Sequence, residues 1–174
     1  MGKYTKQVWI SSPPEDVVDA IDTPDTWRII VPSMQDAETI EKEEGGYRLE
    51  FTYKLGGIKI KRAIETNGSE KADDEEEASN DPDAPEQRTF DLSGMITGRY
   101  SFEISKQGTG TRVKFDTQYK FSNRVLDRIT RQFASQYLTR QFDSLLANLK
   151  HYIEMEDADL ESGVIEPQGE FAEA

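Results

Sequence analysis

Hydrophobic residues along this chain repeat with two different periods, which predict two kinds of secondary structure. From Met34 to Phe121 they alternate with polar residues, most regularly in YRLEFTYKL at 47–55, and a period of two is typical of strands with one buried face. Residues 34–44 alternate poorly, which favours an edge strand. Glycine-containing turns divide the region into antiparallel hairpins, at Gly45-Gly46, Gly56-Gly57, Asn67-Gly68 and Gly108-Thr109-Gly110.

Outside this region the pattern is largely helical. A strand over 4–11 is followed by Ser12-Pro13-Pro14-Glu15, in which Ser12 is predicted to cap a helix whose first position is a proline. A second short helix is expected to start at Thr23-Pro24, to include Trp27 and to stop at Pro32. Residues 123–156 contain neither glycine nor proline, and they are predicted to form one long C-terminal helix.

The acidic residues are concentrated in two segments. The chain of 174 residues has a net charge of -13, but residues 69–86 and residues 154–174 each carry -8, and the remainder carries +3. We interpret 69–86 as a disordered loop and 158–174 as a flexible tail, which leaves one folded, mildly basic domain over 1–157. Adaptation to high salt is the alternative explanation of the total charge. We expect no nucleic-acid partner.

The composition excludes several classes of site. The chain has no cysteine and a single histidine, His151, so thiolate nucleophiles, sulfur-ligated metals and multi-histidine centres are ruled out. His151 is interpreted as a solvated surface residue, and the acidic run at 73–77 lacks the spacing of a calcium loop. We therefore expect no metal and no other cofactor. No apolar run reaches bilayer length and no signal peptide is visible at the start, which favours a cytoplasmic protein.

Short pieces of the sequence resemble the SRPBCC superfamily, which includes polyketide cyclase and dehydrase-like proteins. They are Val8 to Val17, Asp22 to Trp27 and Pro32; Gly94, Gly98 and the turn from Gly108 to Val113 also resemble the branch that is named after carbon monoxide dehydrogenase. The resemblance spans residues 4–153. It implies an α+β START-like helix-grip fold, in which a curved antiparallel sheet of about seven strands wraps around a long C-terminal helix, with two short helices after the first strand. It also implies a binder of hydrophobic ligands.

Arg62 is the most unusual residue of the predicted strands. Alternation places it on the same side as Ile58, Ile60 and Ile64, which is the side that faces the core or a cavity. A buried guanidinium needs a partner, so Arg62 is a candidate anchor for a carboxylate, phosphate or quinone oxygen of a mostly apolar ligand. The alternatives are a structural ion pair, a bulge after Lys61, or a side chain that extends to solvent at the rim.

Four further strand residues, Tyr53, Tyr100, Thr117 and Tyr119, share the inward register. Their hydroxyl groups are candidate ligand contacts, and ordinary core packing is the alternative for each of them. Trp27 is expected either to line the mouth of the cavity or to fasten the short helices to the sheet.

The long helix carries two apolar stripes that do not coincide. Leu126, Ile129, Phe133 and Tyr137 lie about 150° around the helix from Phe142, Leu145, Leu149 and Ile153. If the second stripe packs on the sheet, the first turns outward and Arg131 faces the cavity, unless a bend or bulge restores the phase. Residues 120–140 contain five bases and one acid, which makes them a candidate for peripheral contact with an anionic membrane or a partner protein. The alternative is that the short helices or the acidic loop cover the stripe.

The leading hypothesis is binding or transport of a hydrophobic small molecule, which would be lipid-like, quinone-like or polyketide-like, between the sheet and the C-terminal helix. One rival is a cyclase or dehydratase in which Arg62 or a tyrosine polarises a carbonyl. Another is an accessory protein that docks through the basic helix. The sequence favours a role other than catalysis and leaves the oligomeric state open.

Overall fold

The computed structural model describes residues 1–43, 45–55, 58–66, 84–121 and 131–162. In these residues the elements are, in chain order, β1 (Gly2–Ile10), α1 (Pro14–Asp22), α2 (Pro24–Ile30), β2 (Gln35–Glu41), β3 (Tyr47–Leu55), β4 (Ile58–Thr66), β5 (Glu86–Gly94), β6 (Ile96–Gln107), β7 (Gly110–Phe121) and α3 (Arg131–Ser162). The predicted turns at 56–57 and 67–68, the acidic loop up to residue 83, the helix start at 123, and Leu126 and Ile129 lie outside the described residues.

The strands form one antiparallel sheet in the order β1-β7-β6-β5-β4-β3-β2. From β2 to β7, each strand pairs with the next one in the sequence. β1 pairs with β7, so β1 and β2 are the two edge strands of the sheet. The register of β2 shifts between Gln35 and Glu38, which is the irregularity expected of an edge strand. The predictions of about seven strands and of an edge strand over 34–44 are both confirmed.

The helix starts differ in one detail from the prediction. α1 begins at Pro14, but the flanking position is occupied by Pro13, and no side chain caps the first turn. Ser12 therefore lies one residue too early to cap the helix, and its hydroxyl instead donates a hydrogen bond to the Asp16 carboxylate at 2.8 Å. The predicted capping role of Ser12 is wrong and α1 starts one residue later than predicted, whereas the predicted start of α2 at Pro24 is confirmed.

The inner face of the sheet forms the core, as the alternation predicts. Phe90, Phe102 and Phe115 are fully buried together with Trp27, and their rings contact one another edge to face or tilted. Gly98 allows β6 and β7 to approach closely, because a Cβ atom there would collide with the backbone of β7.

α3 packs across this inner face with the second of its two apolar stripes. Phe142, Leu145, Leu149 and Ile153 are buried, whereas Phe133 is 79% exposed. The helix is fastened to its neighbours by hydrogen bonds, from Asn148 to the Ile30 carbonyl (3.1 Å) and from the Tyr4 hydroxyl to Asp143 (2.7 Å). It continues to Ser162, past the predicted end at 156. None of the described helices is long and apolar enough to cross a bilayer.

Candidate functional site

A cavity lies between the inner face of the sheet and the first half of α3. Its floor comes from β3, β4 and β6, and its other walls come from α3 and from the segment that follows α2. The volume open to the centre of a water molecule is about 20 Å³, which is room for one or two waters. The lining side chains are mostly apolar or aromatic: Val31, Pro32, Phe51, Tyr53, Arg62, Tyr100, Leu138, Gln141, Phe142 and Leu145.

Arg62 reaches the cavity because of its register in β4. Its Cα neighbours across the sheet are Phe51 on β3 and Gly94 on β5. Gly94 has φ +105°, and a Cβ atom at this position would lie 2.6 Å from the Lys61 carbonyl oxygen. Only glycine can be accommodated at this close backbone contact. The position of β5 that lies opposite Arg62 therefore carries no side chain.

The guanidinium of Arg62 is buried without a counterion among the described residues. The residue is only 7% exposed, and its Nε and Nη2 atoms have no hydrogen-bond partner. Its central carbon lies 5.7 Å from the centre of the Tyr53 ring and 5.8 Å from that of Tyr100. Cation–π attraction to these rings offsets part of the desolvation cost, but it leaves the N–H groups of Nε and Nη2 without an acceptor among the described residues.

The surroundings of Tyr53 and Arg62 also influence the protonation of these two residues. Burial raises the pKa of Tyr53 to about 12, although the positive charge of Arg62 acts in the opposite direction. Burial by itself lowers the pKa of Arg62, but the negative charge that Tyr100 and Tyr53 carry once they ionise outweighs it at high pH, so the pKa lies above its ordinary value. Near neutral pH the site therefore holds a charged guanidinium and a protonated Tyr53, whose buried hydroxyl has no hydrogen-bond partner either.

Two other candidates, Thr117 and Tyr119, are buried on the inner face but do not line this cavity. The Tyr119 ring packs against Phe142, with 5.8 Å between ring centres. The Thr117 hydroxyl is buried without a hydrogen-bond partner. Both residues border a separate depression, which is lined mainly by residues of β6 and β7, including Lys120.

Trp27 lies in the core next to the cavity and not in its lining. It is fully buried, and its indole N–H donates to the Ile21 carbonyl at 2.9 Å. Its ring stacks on Tyr100 and meets Phe90 edge to face. This position corresponds to the second of the two expectations, in which Trp27 fastens the short helices to the sheet.

Arg131 is the first residue of α3, and its side chain lies outside the described part of the structure. His151 is exposed. Among the described residues, no group of three histidines and carboxylates is arranged to hold a metal ion.

The cavity also contains residues that the sequence reasoning missed. Gln141 is the clearest, since it is a polar side chain that lines the cavity from α3. It lies three residues after Leu138 and four before Leu145, which are both buried. An interruption of an apolar stripe by one polar residue at helical spacing was the signal that could have identified it.

The comparisons with known proteins place this geometry in a family. Residues 1–154 match the family model described as "Polyketide cyclase / dehydrase and lipid transport". The chain belongs to this family. The predicted membership of the SRPBCC superfamily is thereby confirmed, and a comparison with curated protein sequences finds no match.

Solved structures share the fold of this family member. The crystal structure of TTHA0849 from Thermus thermophilus has a TM-score of 0.66 at 14% identity, covering 89% of this chain and 99% of that one. The Zhui aromatase/cyclase from Streptomyces sp. R1128 has a TM-score of 0.63 at 10% identity, covering 90% and 95%. Ara h 8.0201 has a TM-score of 0.60 at 12% identity, covering 87% and 97%. The predicted α+β helix-grip fold is confirmed.

Proposed function

We propose that this protein binds an amphipathic small molecule in the cavity between the sheet and α3, with Arg62 as the anchor for an oxygen of the ligand. The observation that carries the proposal is the buried guanidinium, whose Nε and Nη2 have no partner. A carboxylate, an enolate or a strongly polarised carbonyl fits two such donors best, because hydrogen bonds between charged groups are the strongest.

The energetics support an anchoring role over a purely structural one. An unpaired charge in an apolar environment costs free energy that packing alone does not return. The described residues supply two aromatic rings and no carboxylate to Arg62. A ligand oxygen that accepts hydrogen bonds from Arg62 would offset that cost only in the bound state, and this is how a binding site gains affinity.

The rest of the lining suits the apolar part of such a ligand. Phe51, Leu138, Phe142 and Leu145 present hydrocarbon surface, and each Å² of it that is removed from water contributes roughly 25 cal/mol before the costs of binding. Tyr53 and Gln141 supply further hydrogen-bonding groups. The chemistry of the lining thus combines an apolar body with one polar end.

The cavity must widen to hold such a molecule. Its free volume is about 20 Å³, whereas sites for drug-sized ligands measure roughly 300–1,000 Å³. Leu138 and Gln141 on α3 and Pro32 after α2 form the wall opposite the sheet, so binding should displace this wall outward. Only the fraction of protein with an open cavity can bind the ligand, so the apparent affinity is the intrinsic affinity multiplied by that fraction.

The proposal is tested with a fluorescent anionic probe, anilinonaphthalene sulfonate, and with competition by dodecanoate or its methyl ester. Arg62→Met keeps the length of the side chain and removes the charge, and it should weaken dodecanoate binding about 10- to 100-fold. The uncharged ester should bind wild type and variant equally. Arg99→Met is the matched control, because Arg99 lies on the outer face and pairs with Asp91 at 2.9 Å.

Equal loss of both ligands in Arg62→Met would indicate a damaged cavity and not a lost anchor. Full retention of dodecanoate binding in a folded Arg62→Met protein would remove Arg62 from the site.

Catalysis by the same cavity is the second candidate. Tyr53 remains protonated near neutral pH, since its pKa is about 12, and its free hydroxyl lies beside a fixed positive charge. Together they could polarise a carbonyl and stabilise a developing oxyanion. One structural neighbour, the Zhui aromatase/cyclase, is by its name an enzyme of this kind.

Dehydration of a β-hydroxy ketone to its conjugated enone, followed by ultraviolet absorbance, tests the catalytic candidate. Wild type should accelerate the reaction, and Tyr53→Phe should lower the rate about 10²- to 10³-fold, as expected when an oxyanion donor is removed. If dodecanoate binds tightly while no tested ketone reacts, the binding role alone is supported.

A further inference from the structure

The end of the sheet next to the cavity carries exposed lysines that form no ion pair with a described residue. Lys54 and Lys59 are direct partners across the β3–β4 hairpin, and Lys61 follows two residues later. All three are exposed, and none forms an ion pair with a described residue. Like charges that face each other in a hairpin repel one another, so this arrangement destabilises the isolated protein.

Two more cations accompany these lysines. Lys120 lies at the end of β7, opposite Thr97, and Arg140 lies on α3. Both are exposed and lack an ion pair within the described residues. By contrast, Arg48, Arg88 and Arg99, elsewhere on the sheet, each pair with a carboxylate.

An exposed aromatic ring accompanies these charges. Phe133 is 79% exposed, and it precedes Tyr137 by four residues and Arg140 by seven, so the three share one face of α3. The Tyr137 hydroxyl donates to the Lys54 carbonyl oxygen at 2.7 Å. That hydrogen bond ties α3 to the β3–β4 hairpin, and Phe133 is one helical turn from it, at the same end of the molecule as the lysines.

This surface also adjoins the cavity. Tyr53 and Leu138, which line the cavity, are the sequence neighbours of Lys54 and Tyr137. A molecule that covered this surface would therefore lie next to the cavity.

We propose that the basic end, defined by Lys54, Lys59, Lys61, Arg140 and Phe133, docks on a bilayer that contains anionic lipids. Charge complementarity selects this occupant: clustered lysines are attracted to anionic headgroups, and an exposed phenylalanine inserts at the interface. The net charge of the whole chain is -13, so the rest of the protein is repelled by the same surface. The repulsion orients the molecule with its cavity next to the lipid.

Vesicle flotation of the full-length protein tests the proposal. Vesicles of phosphatidylcholine with about 30% phosphatidylserine should carry the protein at low ionic strength, and pure phosphatidylcholine should not. Binding should disappear at about 0.5 M NaCl, because the Debye length then falls to a few Å. Absence of binding to the anionic vesicles at low salt would overturn the proposal, whatever the cavity binds.

Paired charge reversals separate a local surface from the effect of net charge. Lys59→Glu should reduce partitioning about 30-fold, since it changes two charges at the surface. Lys106→Glu makes the same change in net charge at the opposite end of the sheet, where Lys106 is exposed and unpaired among the described residues, and it should leave partitioning unchanged. Equal losses in the two variants would overturn the proposal.

The aromatic contribution has a matched control on the same helix. Phe133→Ala should weaken partitioning about tenfold, whereas Met155→Ala, at the far end of α3 and 51% exposed, should not. If the protein binds poly-glutamate in a Lys59-dependent manner but neither kind of vesicle, the occupant is an acidic protein surface and the membrane proposal is wrong.

Discussion

Two arginines on neighbouring strands show how differently the two faces of the sheet treat the same side chain. Arg48 on β3 faces outward and pairs with the carboxylates of Glu50 and Glu65. Arg62 on β4 faces inward, and its guanidinium lies over the rings of Tyr53 and Tyr100. The outer face neutralises Arg48 with strand neighbours, whereas the described residues of the inner face give Arg62 no carboxylate.

The difference follows from what each face of a strand can hold. On the outer face, acids and bases alternate with the buried positions, and Arg48 has Glu65 across the strand pair and Glu50 two residues away. On the inner face the neighbours of Arg62 are isoleucines and aromatic residues, because the core must exclude water. A charge there signals a binding feature more strongly than an outer ion pair does, since outer pairs contribute little to stability.

The largest contrast between the faces is expected for neighbouring residues of β7. Phe115→Ala should lower the free energy of unfolding by about 3–5 kcal/mol, because Phe115 is fully buried against Phe102 and Phe142. Lys114→Ala, whose partners are Glu103 and Asp116, should cost less than about 1 kcal/mol. Urea unfolding measures both values, and similar losses would mean that the two faces are not energetically distinct.

Arginine to methionine substitutions compare the two faces directly. Arg62→Met should raise the free energy of unfolding of the ligand-free protein by about 1 kcal/mol, since it removes an unpaired buried charge at the expense of two cation–π contacts. Arg48→Met should lower it by a few tenths to about 1 kcal/mol, because it breaks partly exposed ion pairs. A marked loss of stability in Arg62→Met would instead favour the structural role of this arginine.

Hydroxyl removal gives a smaller contrast. Tyr4→Phe should cost about 1 kcal/mol, because the Tyr4 hydroxyl donates to Asp143 at 2.7 Å. Tyr53→Phe should be neutral or slightly stabilising, since its buried hydroxyl has no partner. Thermal unfolding of the two variants in parallel measures the difference, and a larger cost for Tyr53→Phe would reveal a hydrogen bond that forms in solution.

The smallest effect concerns the pH dependence of the outer ion pairs. Burial by itself raises the pKa of Glu65, but its hydrogen bond with Lys42 and the charge of Arg48 outweigh burial, and the pKa lies below its ordinary value of 4.5. As the pH falls, Glu65 is therefore protonated in the unfolded chain before it is protonated in the folded protein. Its contribution to the free energy of unfolding is present above pH 4.5 and is lost as the pH falls through the pKa of the folded protein.

Unfolding experiments between about pH 6 and pH 3 should show this loss in wild type, and Glu65→Gln should reduce it by about 0.5 kcal/mol. Glu38→Gln, an exposed carboxyl on β2 without an ion pair among the described residues, is the control and should leave the profile unchanged. An identical profile for Glu65→Gln would remove Glu65 from the set of carboxyls that titrate with folding.

Much of the fold could be predicted because its signals are local. Alternation over 47–55 and proline at the helix starts each act within a few residues, and the strands and short helices formed where they were expected. The inward register of Arg62 was predicted in the same way. The capping role of Ser12 failed because two consecutive prolines moved the helix start by one residue.

The composition of the cavity was harder to predict, because it depends on contacts between distant residues. Tyr53, Arg62 and Tyr100 have inward registers in the sequence, but so do Thr117 and Tyr119, and only the first three line the cavity. Gln141 joins them from α3, 41 residues after Tyr100 and 88 residues after Tyr53. No period of two or 3.6 residues encodes which of the inward side chains meet.

The sequence by itself determined the order of the elements and the face on which each strand residue lies, since periodicity and turn residues control the backbone locally. Only the tertiary structure decided that Arg62 lies between two tyrosine rings without a carboxylate, and that the start of α3 rests on the β3–β4 hairpin. Those features depend on how α3 crosses the sheet, and packing between segments far apart in the chain sets that crossing.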